Sequence, residues 1–314
     1  MSTSQSPFVP PWFALPNCEV VQCAGPDALH FAQAQFSNDC GALAVGCWQW
    51  SCWLTAQGRV RALFALFRFC QDQVWLICPT GDSARLAKEL QPYIIRRQLT
   101  IQPLQNWHVV AQLHPPQSAH GSHAAILADG RVEFDVGAPE CQRALALVPT
   151  ARDQAIGVDP ILLEQWLESD LLMGFPHLTQ DQLGRWTANQ LSLDRLNALS
   201  VSKGCYPGQE IVARTHFLGK NKRLTTLLQT TDPVPVGASV HGWDQTPIGT
   251  VVAATARHVL AVLPVDWQQW PVLTAGAAAE RRPFIAGLAR PPAQSADHAA
   301  RSREGEGEGE GDTR

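Results

Sequence analysis

Charge is what this chain has least of. Asp, Glu, Lys and Arg make up 17% of its 314 residues, against roughly 25% in an average soluble protein. The formal net charge is only -4, so binding of nucleic acid over the whole surface is excluded and any anion site has to be local. Long apolar runs are missing as well. Stretches such as "ALFALF" and "VWLIC" have the length of buried strands and fall short of the ~20 residues a membrane-spanning helix needs. The start, "MSTSQSPFVPPWFALP", shows neither a basic segment followed by an apolar core nor an arginine-rich amphipathic pattern. A soluble, cytoplasmic protein with no membrane partner is therefore expected. Nine cysteines contain no CxxC pair, which removes support for a zinc knuckle or a ferredoxin-type cluster site, and no metal ligands are assigned.

What is present is hydrophobic mass. Apolar residues reach 45%, with eleven Trp against two Tyr, and the length suits two globular units. Trp48, Trp50, Trp53 and Trp75 lie in strand-like segments and are expected in the core. Cys18, Cys23, Cys40, Cys47, Cys52, Cys70, Cys78 and Cys141 read as reduced thiols packed as small hydrophobes. Residues 1–17 read as a loose arm. "CEVVQCAG" reads as a strand and "PDALHFAQAQF" as a short helix with Pro26 at its first position. "CWQWSCWL" and "RVRALFALFRF" form a hairpin around "TAQG", and "DQVWLICP" adds a third strand. Leu86, Leu90 and Ile94, following a capping-type Asp82, space an amphipathic helix that should lie on that sheet. His114, His120 and His123 fall in a Pro/Gly/Ser loop and are expected in solvent. A hairpin around Asp129 and Gly130 follows, then a helix from Pro160 closed by Gly174 and Pro176. After Arg223 short strands and turns indicate a small β-barrel or sandwich. The Glu-Gly repeats near the end are expected to be disordered.

One stretch stands apart: "KGCYPGQEIVARTHFLGKNKR", Lys203 to Arg223. Its basic residues Lys203, Arg214, Lys220, Lys222 and Arg223 outnumber the single Glu210, a local basic strip on an acidic chain. "YPGQEIVARTHFLG" reads as a helix with Pro207 near its first position, Ile211, Val212, Thr215 and Leu218 on one face, and Gly219 as its stop. Cys205 then lies at the N-terminal end, where the helix dipole and Lys203 would favour a thiolate. Gly204 and Gly208 would allow close backbone approach. The competing reading packs Cys205 under a tight turn and leaves Lys203 in water.

The same stretch resembles the motif of the YgfZ folate-binding proteins, relatives of the glycine-cleavage aminomethyltransferase: Lys-Gly-Cys-Tyr-x-Gly-Gln-Glu, an Arg, then Gly-x-x-Lys-Arg. "GPDALHFAQAQFSND", "LTAQGRV" and "WLESDLLMGFP" extend the likeness over most of residues 20–290. The resemblance implies an α+β, aminomethyltransferase-like folate-binding fold with a C-terminal β-barrel. Its division would be a folate-binding domain of intertwined subdomains over 18–223, a barrel over 224–292 and a disordered tail over 293–314. It also implies tetrahydrofolate or a derivative in a central opening. The role would be in iron-sulfur cluster assembly or repair, supporting iron-sulfur-dependent tRNA modification, with assembly proteins or client enzymes such as tRNA methylthiolases as partners.

By position, Cys205 becomes the family's reactive cysteine, supported by Lys203, Gly204, Tyr206, Gly208, Gln209, Glu210 and Arg214. Gln35, Asn38 and Asp39 match an early motif in which Ala34 and Ser37 replace the usual Gly and Thr. "WTANQLSLDRL" departs from the family, which shows Pro-Gln where Ala188-Asn189 stand. Gln190 takes the place of the pterin-binding carboxylate of the aminomethyltransferases. A carboxylate accepts the pterin's amino and ring N–H groups through two charge-assisted hydrogen bonds, whereas an amide offers one acceptor oxygen. The resemblance thus places folate contact at Gln35, Asn38, Asp39, Asn189, Gln190 and Asp194, with Asp39 or Asp194 standing in for the missing carboxylate and a turn cap as the other reading of Asp39. Two other functions compete: a folate-dependent one-carbon (aminomethyl) transferase, for which the missing carboxylate is adverse, and a direct tRNA-binding module using Lys220, Lys222 and Arg223 on phosphates.

Overall fold

A computed structural model describes residues 11–150, 156–219 and 221–290. The first ten residues of the expected arm, Lys220 and the Glu-Gly tail lie outside them. In chain order the body contains β1 (Phe13–Ala14), β2 (Glu19–Ala24), α1 (Ala28–Gln35), β3 (Trp48–Leu54), β4 (Val60–Cys70), β5 (Gln73–Cys78), α2 (Ser83–Leu90), β6 (Thr100–Pro103) and β7 (Trp107–Gln112). It continues through β8 (Ala125–Ile126), β9 (Val132–Asp135), β10 (Ala144–Pro149), α3 (Pro160–Leu172) and α4 (Gln209–Leu218). The barrel strands are β11 (Arg223–Thr230), β12 (Ser239–His241), β13 (Pro247–Ala254), β14 (His258–Pro264), β15 (Val272–Thr274) and β16 (Ala277–Arg282).

The first sheet has the order β3-β4-β5-β2-β6 and is antiparallel throughout. Its middle strands are buried on both faces, which explains why they read as apolar runs without polar alternation. The period of two still sorts the side chains. Phe64, Leu66, Val74, Leu76 and Val21 face a core with Phe31 of α1 and Leu86 and Leu90 of α2. Trp48, Trp50, Leu63, Phe67, Trp75 and Val20 face the opposite core, shared with Phe134, Leu147 and Trp166. The second sheet, β1-β7-β10-β9-β8, together with α3 covers that second face. The first sheet is thus the middle layer of the body.

Residues 11–17 are not a loose arm. Phe13 and Ala14 pair with Ala111 and Val110, and Phe13 is fully buried against Trp166. Two helix starts also differ from expectation. Pro26 lies before α1, whose N-cap is Asp27, and Pro207 lies before α4, whose N-cap is Gly208. Asp82 is the N-cap of α2 but makes no capping bond; its carboxylate pairs with Arg85 instead. Pro160 does open α3, where Asp159 caps Ile161 and Leu162.

The last six strands close into a barrel, β11-β14-β13-β12-β15-β16. Its interior holds Leu228, Val240, Val251, Val259, Leu263 and Val272. Alternate residues Leu227, Val252, Leu260 and Val262 point outward into the body's core, so the barrel docks through one apolar side. Glu168 of α3 adds a polar tie to Thr255 and His258. The barrel ends at Arg282, and residues 283–290 return to the body. Ile285 N bonds Leu172 O at 2.9 Å, Leu288 O accepts the Trp50 indole N–H at 3.0 Å, and Arg290 is buried against Asp135 and Gly137. No helix among the described residues is long and apolar enough to cross a membrane.

Candidate functional site

Cys205 is the only exposed cysteine among the described residues; six of the other eight are buried and Cys70 and Cys141 are half-buried. It sits on a loop pinned on both sides. Lys203 is buried, and its ammonium donates to the carbonyl oxygens of Phe36 and of Asn38, the latter at 2.8 Å. Tyr206 is buried too, donating its hydroxyl to Ser200 O at 2.9 Å, with the Lys203 Nζ 4.9 Å from its ring centre. Gln209 Nε2 donates to Lys203 O at 3.1 Å. Burial pulls the Lys203 pKa down from its ordinary value, with Cys40, Asp39 and Cys52 pulling weakly the other way. Lys203 therefore neither faces water nor points its charge at Cys205, as the sequence suggested; it bolts the loop to the turn after α1.

Gly208 is at φ +83, and a Cβ there would fall 2.6 Å from Thr55 O and 2.8 Å from Gly58 Cα. The backbone turns into α4 hard against the β3–β4 hairpin, which only glycine permits. Gly204 has open space around it, so close approach does not explain it. Glu210 and Arg214 are exposed, and so are Phe217 and Leu218; α4 buries only Val212, not the four-residue face expected.

The early motif and the segment before Cys205 form one polar knot. Asn38 Nδ2 donates to Trp50 O at 2.8 Å and to Asn197 O at 2.6 Å. Ser37 Oγ donates to Ala198 O at 2.6 Å and accepts from Cys52 N at 2.9 Å, and Ser200 N donates to Ser37 O at 2.9 Å. Asp39 Oδ1 accepts from Gln33 Nε2 at 3.0 Å and Ala42 N at 3.3 Å, the turn-cap reading. Gln190 Oε1 accepts from Thr187 N at 3.0 Å, closing its own turn. Asp194 is exposed in a short 3-10 turn over Leu193–Leu196. Asn189 is buried, and its Oδ1, like Gln35 Oε1, has no hydrogen-bond partner among the described residues.

A separate cavity of about 360 Å³ lies where the body meets the barrel, within the range of small-molecule sites. Trp50, Trp166 and Phe175 supply aromatic walls, Ala253 to Thr255 of the barrel supply one side, Arg143 and Asp170 supply charge, and His177 lies beside them. None of Gln35, Asn38, Asp39, Asn189, Gln190 or Asp194 lines it, nor does any residue of 203–214. Asp170 is buried between Arg143 and His177, whose Nε2 lies 2.7 Å from its Oδ2. Burial alone would raise the Asp170 carboxyl; Arg143 and His177 outweigh it and hold it below the usual carboxylate range. These three residues were missed in the sequence. The signal was there: an Arg opening the apolar run "ALALVP" and an Asp inside the apolar helix "WLESDLL" can be buried only if paired. The two centres share one residue, since Asn38 holds the Trp50 backbone while the Trp50 ring walls the cavity.

No family model matches the chain. A solved structure of the glycine cleavage system aminomethyltransferase T from Bartonella henselae superposes with a TM-score of 0.71 at 15% identity, covering 89% of this chain and 86% of that one. The fold is thus aminomethyltransferase-like, with a closed C-terminal barrel. The tRNA-modifying protein YgfZ of Pectobacterium carotovorum is 26% identical over 270 residues, 79% of this chain and 80% of that protein. The human iron-sulfur cluster assembly factor IBA57, mitochondrial, is 27% identical over 265 residues, 79% and 72% of the two chains. An uncharacterized Haemophilus influenzae protein is 24% identical over 256 residues, 77% and 84%. The chain is thus similar in sequence to YgfZ proteins and to IBA57, and in fold to the aminomethyltransferase.

Proposed function

We propose that the chain is a folate-binding accessory protein for iron-sulfur cluster assembly or repair, acting through Cys205 and supporting iron-sulfur-dependent tRNA modification indirectly. The observation that carries this reading is the placement of Cys205: one exposed thiol, on a loop fixed by buried Lys203 and Tyr206, in a chain whose other cysteines are buried or half-buried. A rigidly presented thiol suits exchange of sulfur or a cluster with a partner, and a buried one does not. The relatives' names, a tRNA-modifying protein and an iron-sulfur assembly factor, support the same role. Partners would be iron-sulfur assembly proteins or client enzymes such as tRNA methylthiolases.

The cavity fits tetrahydrofolate in kind. Its aromatic walls suit a flat pterin ring, and His177 supplies a polar contact in an otherwise mostly apolar space. Folate bound there would bring one-carbon chemistry, but Asp170 has both oxygens committed to Arg143 and His177. Asp82, the other carboxylate lining the cavity, pairs with Arg85 and accepts from Gln180, so both are already engaged, which weighs against a one-carbon transferase. Arg223 donates to Ile248 O and so is partly spent within the barrel, which weighs against direct tRNA binding. The test is complementation of a strain lacking its own relative. Cys205→Ala is expected to leave the activity of iron-sulfur tRNA methylthiolases unrestored, while full restoration would remove Cys205 from the function.

A further inference from the structure

The titratable groups around the cavity between body and barrel are Cys18, Asp82, Arg85, Arg143, Asp170 and His177. Most are spent. Arg85 pairs with Asp82 and Glu89, and Asp82 also accepts from Gln180 Nε2 at 3.0 Å. Arg143 donates to Asp170, to Ser169 Oγ at 2.7 Å and to Val136 O at 3.1 Å, with its guanidinium 4.2 Å from the Trp166 ring centre. Asp170 uses one oxygen for Arg143 and the other for His177. Cys18 is buried, and burial, ahead of its acidic neighbours, keeps its thiol protonated.

His177 is different. An ionised carboxylate only accepts hydrogen bonds, so the proton between Asp170 and His177 belongs to Nε2. In the neutral imidazole this leaves Nδ1 as a bare acceptor, and among the described residues Nδ1 has no hydrogen-bond partner. The ring is oriented by Asp170, Asp170 by Arg143, and Arg143 by Trp166. Phe175 meets the imidazole edge-on at 5.6 Å. A pre-oriented acceptor beside aromatic walls selects planar ligands that carry a ring N–H.

The geometry points to His177 as the specificity-determining contact of the cavity, accepting the ring N–H of a planar heterocycle through Nδ1. Resting on the folate reading, the donor is the lactam N–H of the pterin, and the Nδ1 of His177 does here the accepting that a carboxylate does in the aminomethyltransferases. That shifts ligand recognition away from Gln190 and onto the end of α3 and the segment after it.

The experiment is calorimetric titration of the full chain with tetrahydrofolate and with its N3-methyl analogue, for the natural protein, His177→Phe and His177→Gln. The natural protein is expected to prefer tetrahydrofolate by about tenfold or more, because the methylated ring cannot supply the proton. His177→Phe should bind tetrahydrofolate about tenfold more weakly and lose the preference. His177→Gln, whose amide can donate to Asp170 and accept from the ligand, should keep part of it. Tetrahydrofolate binding that is equal in the natural protein and His177→Phe, with the preference intact in both, would overturn the role of His177 and leave the folate reading standing. No tetrahydrofolate binding by the natural protein would overturn both. Should His177→Phe prove unfolded by thermal melting, the natural protein alone still decides, since indifference to the N3-methyl group refutes the contact.

Discussion

Lys203 shows the widest gap between residue type and surroundings. Sequence proximity put its charge beside Cys205, two positions on; the fold instead spends it on carbonyls 165 and 167 residues away, which no local reading could reach. Burial depresses its pKa, whereas in the unfolded chain the amine titrates near ~10.4. Between the folded value and that one the unfolded state holds more protons, so stability rises with pH across this window and levels off above it. Lys203→Met keeps the stem and removes the ammonium, leaving the Phe36 and Asn38 carbonyls short of a donor. We expect a loss of about 1–3 kcal/mol at neutral pH. The gap to the natural protein should widen as pH rises toward about 10, because only the natural chain gains there. Urea denaturation at a series of pH values measures this, and parallel profiles would refute the buried charge. His177, Asp170 and Arg143 teach the same lesson: each residue type was visible, but their meeting depended on tertiary contacts spanning residues 143–177.

At the scale of elements, what was legible followed from periodicity with punctuation. The β3–β4 hairpin, β5, α2 and α3 each carried an apolar pattern bounded by a turn or cap, and the structure has them. β6, β7 and β10 were not assigned, since "TIQP", "WHVVAQ" and "ALALVP" are short apolar runs without strong turn signals at both ends. Proline misled at two helix starts because it also suits the turn before a helix; at Gly208 the chain needs a left-handed residue there, so α4 begins later than Pro207. This makes Gly208 the residue on which the element depends. Gly208→Ala forces a side chain to φ +83 and toward Thr55 O, costing at least about 1–2 kcal/mol from backbone conformation before the clash is counted. Hydrogen exchange should accelerate in Gln209–Leu218 and in residues 55–58 and change little elsewhere. Gly204→Ala, with open space, should leave exchange in both segments unaltered; equal effects from the two variants would refute the packing argument.

Across the whole molecule, the barrel is inserted rather than appended. The chain leaves the body before Arg223 and comes back over 283–290, so the expected end of the barrel domain at 292 takes in a stretch that packs as part of the body. Only the apolar texture of "RPFIAGLAR" hinted at this, and a composition reading had no reason to separate it from the strands before it. Arg290 fastens the return: buried, it donates to Asp135 O and Gly137 O, both at 2.7 Å, and to Gly287 O at 2.8 Å, and it lies 5.4 Å from the Trp48 ring centre. The Trp50 indole closes on the same segment through Leu288 O. Because cavity walls come from both body and barrel, the clasp also holds the cavity's shape. Arg290→Ala leaves several carbonyls short of donors and should cost about 2–4 kcal/mol. More tellingly, it should uncouple the two units. The natural chain should unfold with coincident transitions by tryptophan fluorescence, weighted to the Trp-rich body, and by far-ultraviolet circular dichroism, which counts the barrel strands as well. In Arg290→Ala the fluorescence transition should come first, since Trp48 and Trp50 lose their cover while the barrel keeps its closed ladder. Coincident transitions in the variant would mean that the apolar contact of Leu227, Leu260 and Val262 with the body couples the units by itself, and that the returning segment merely follows.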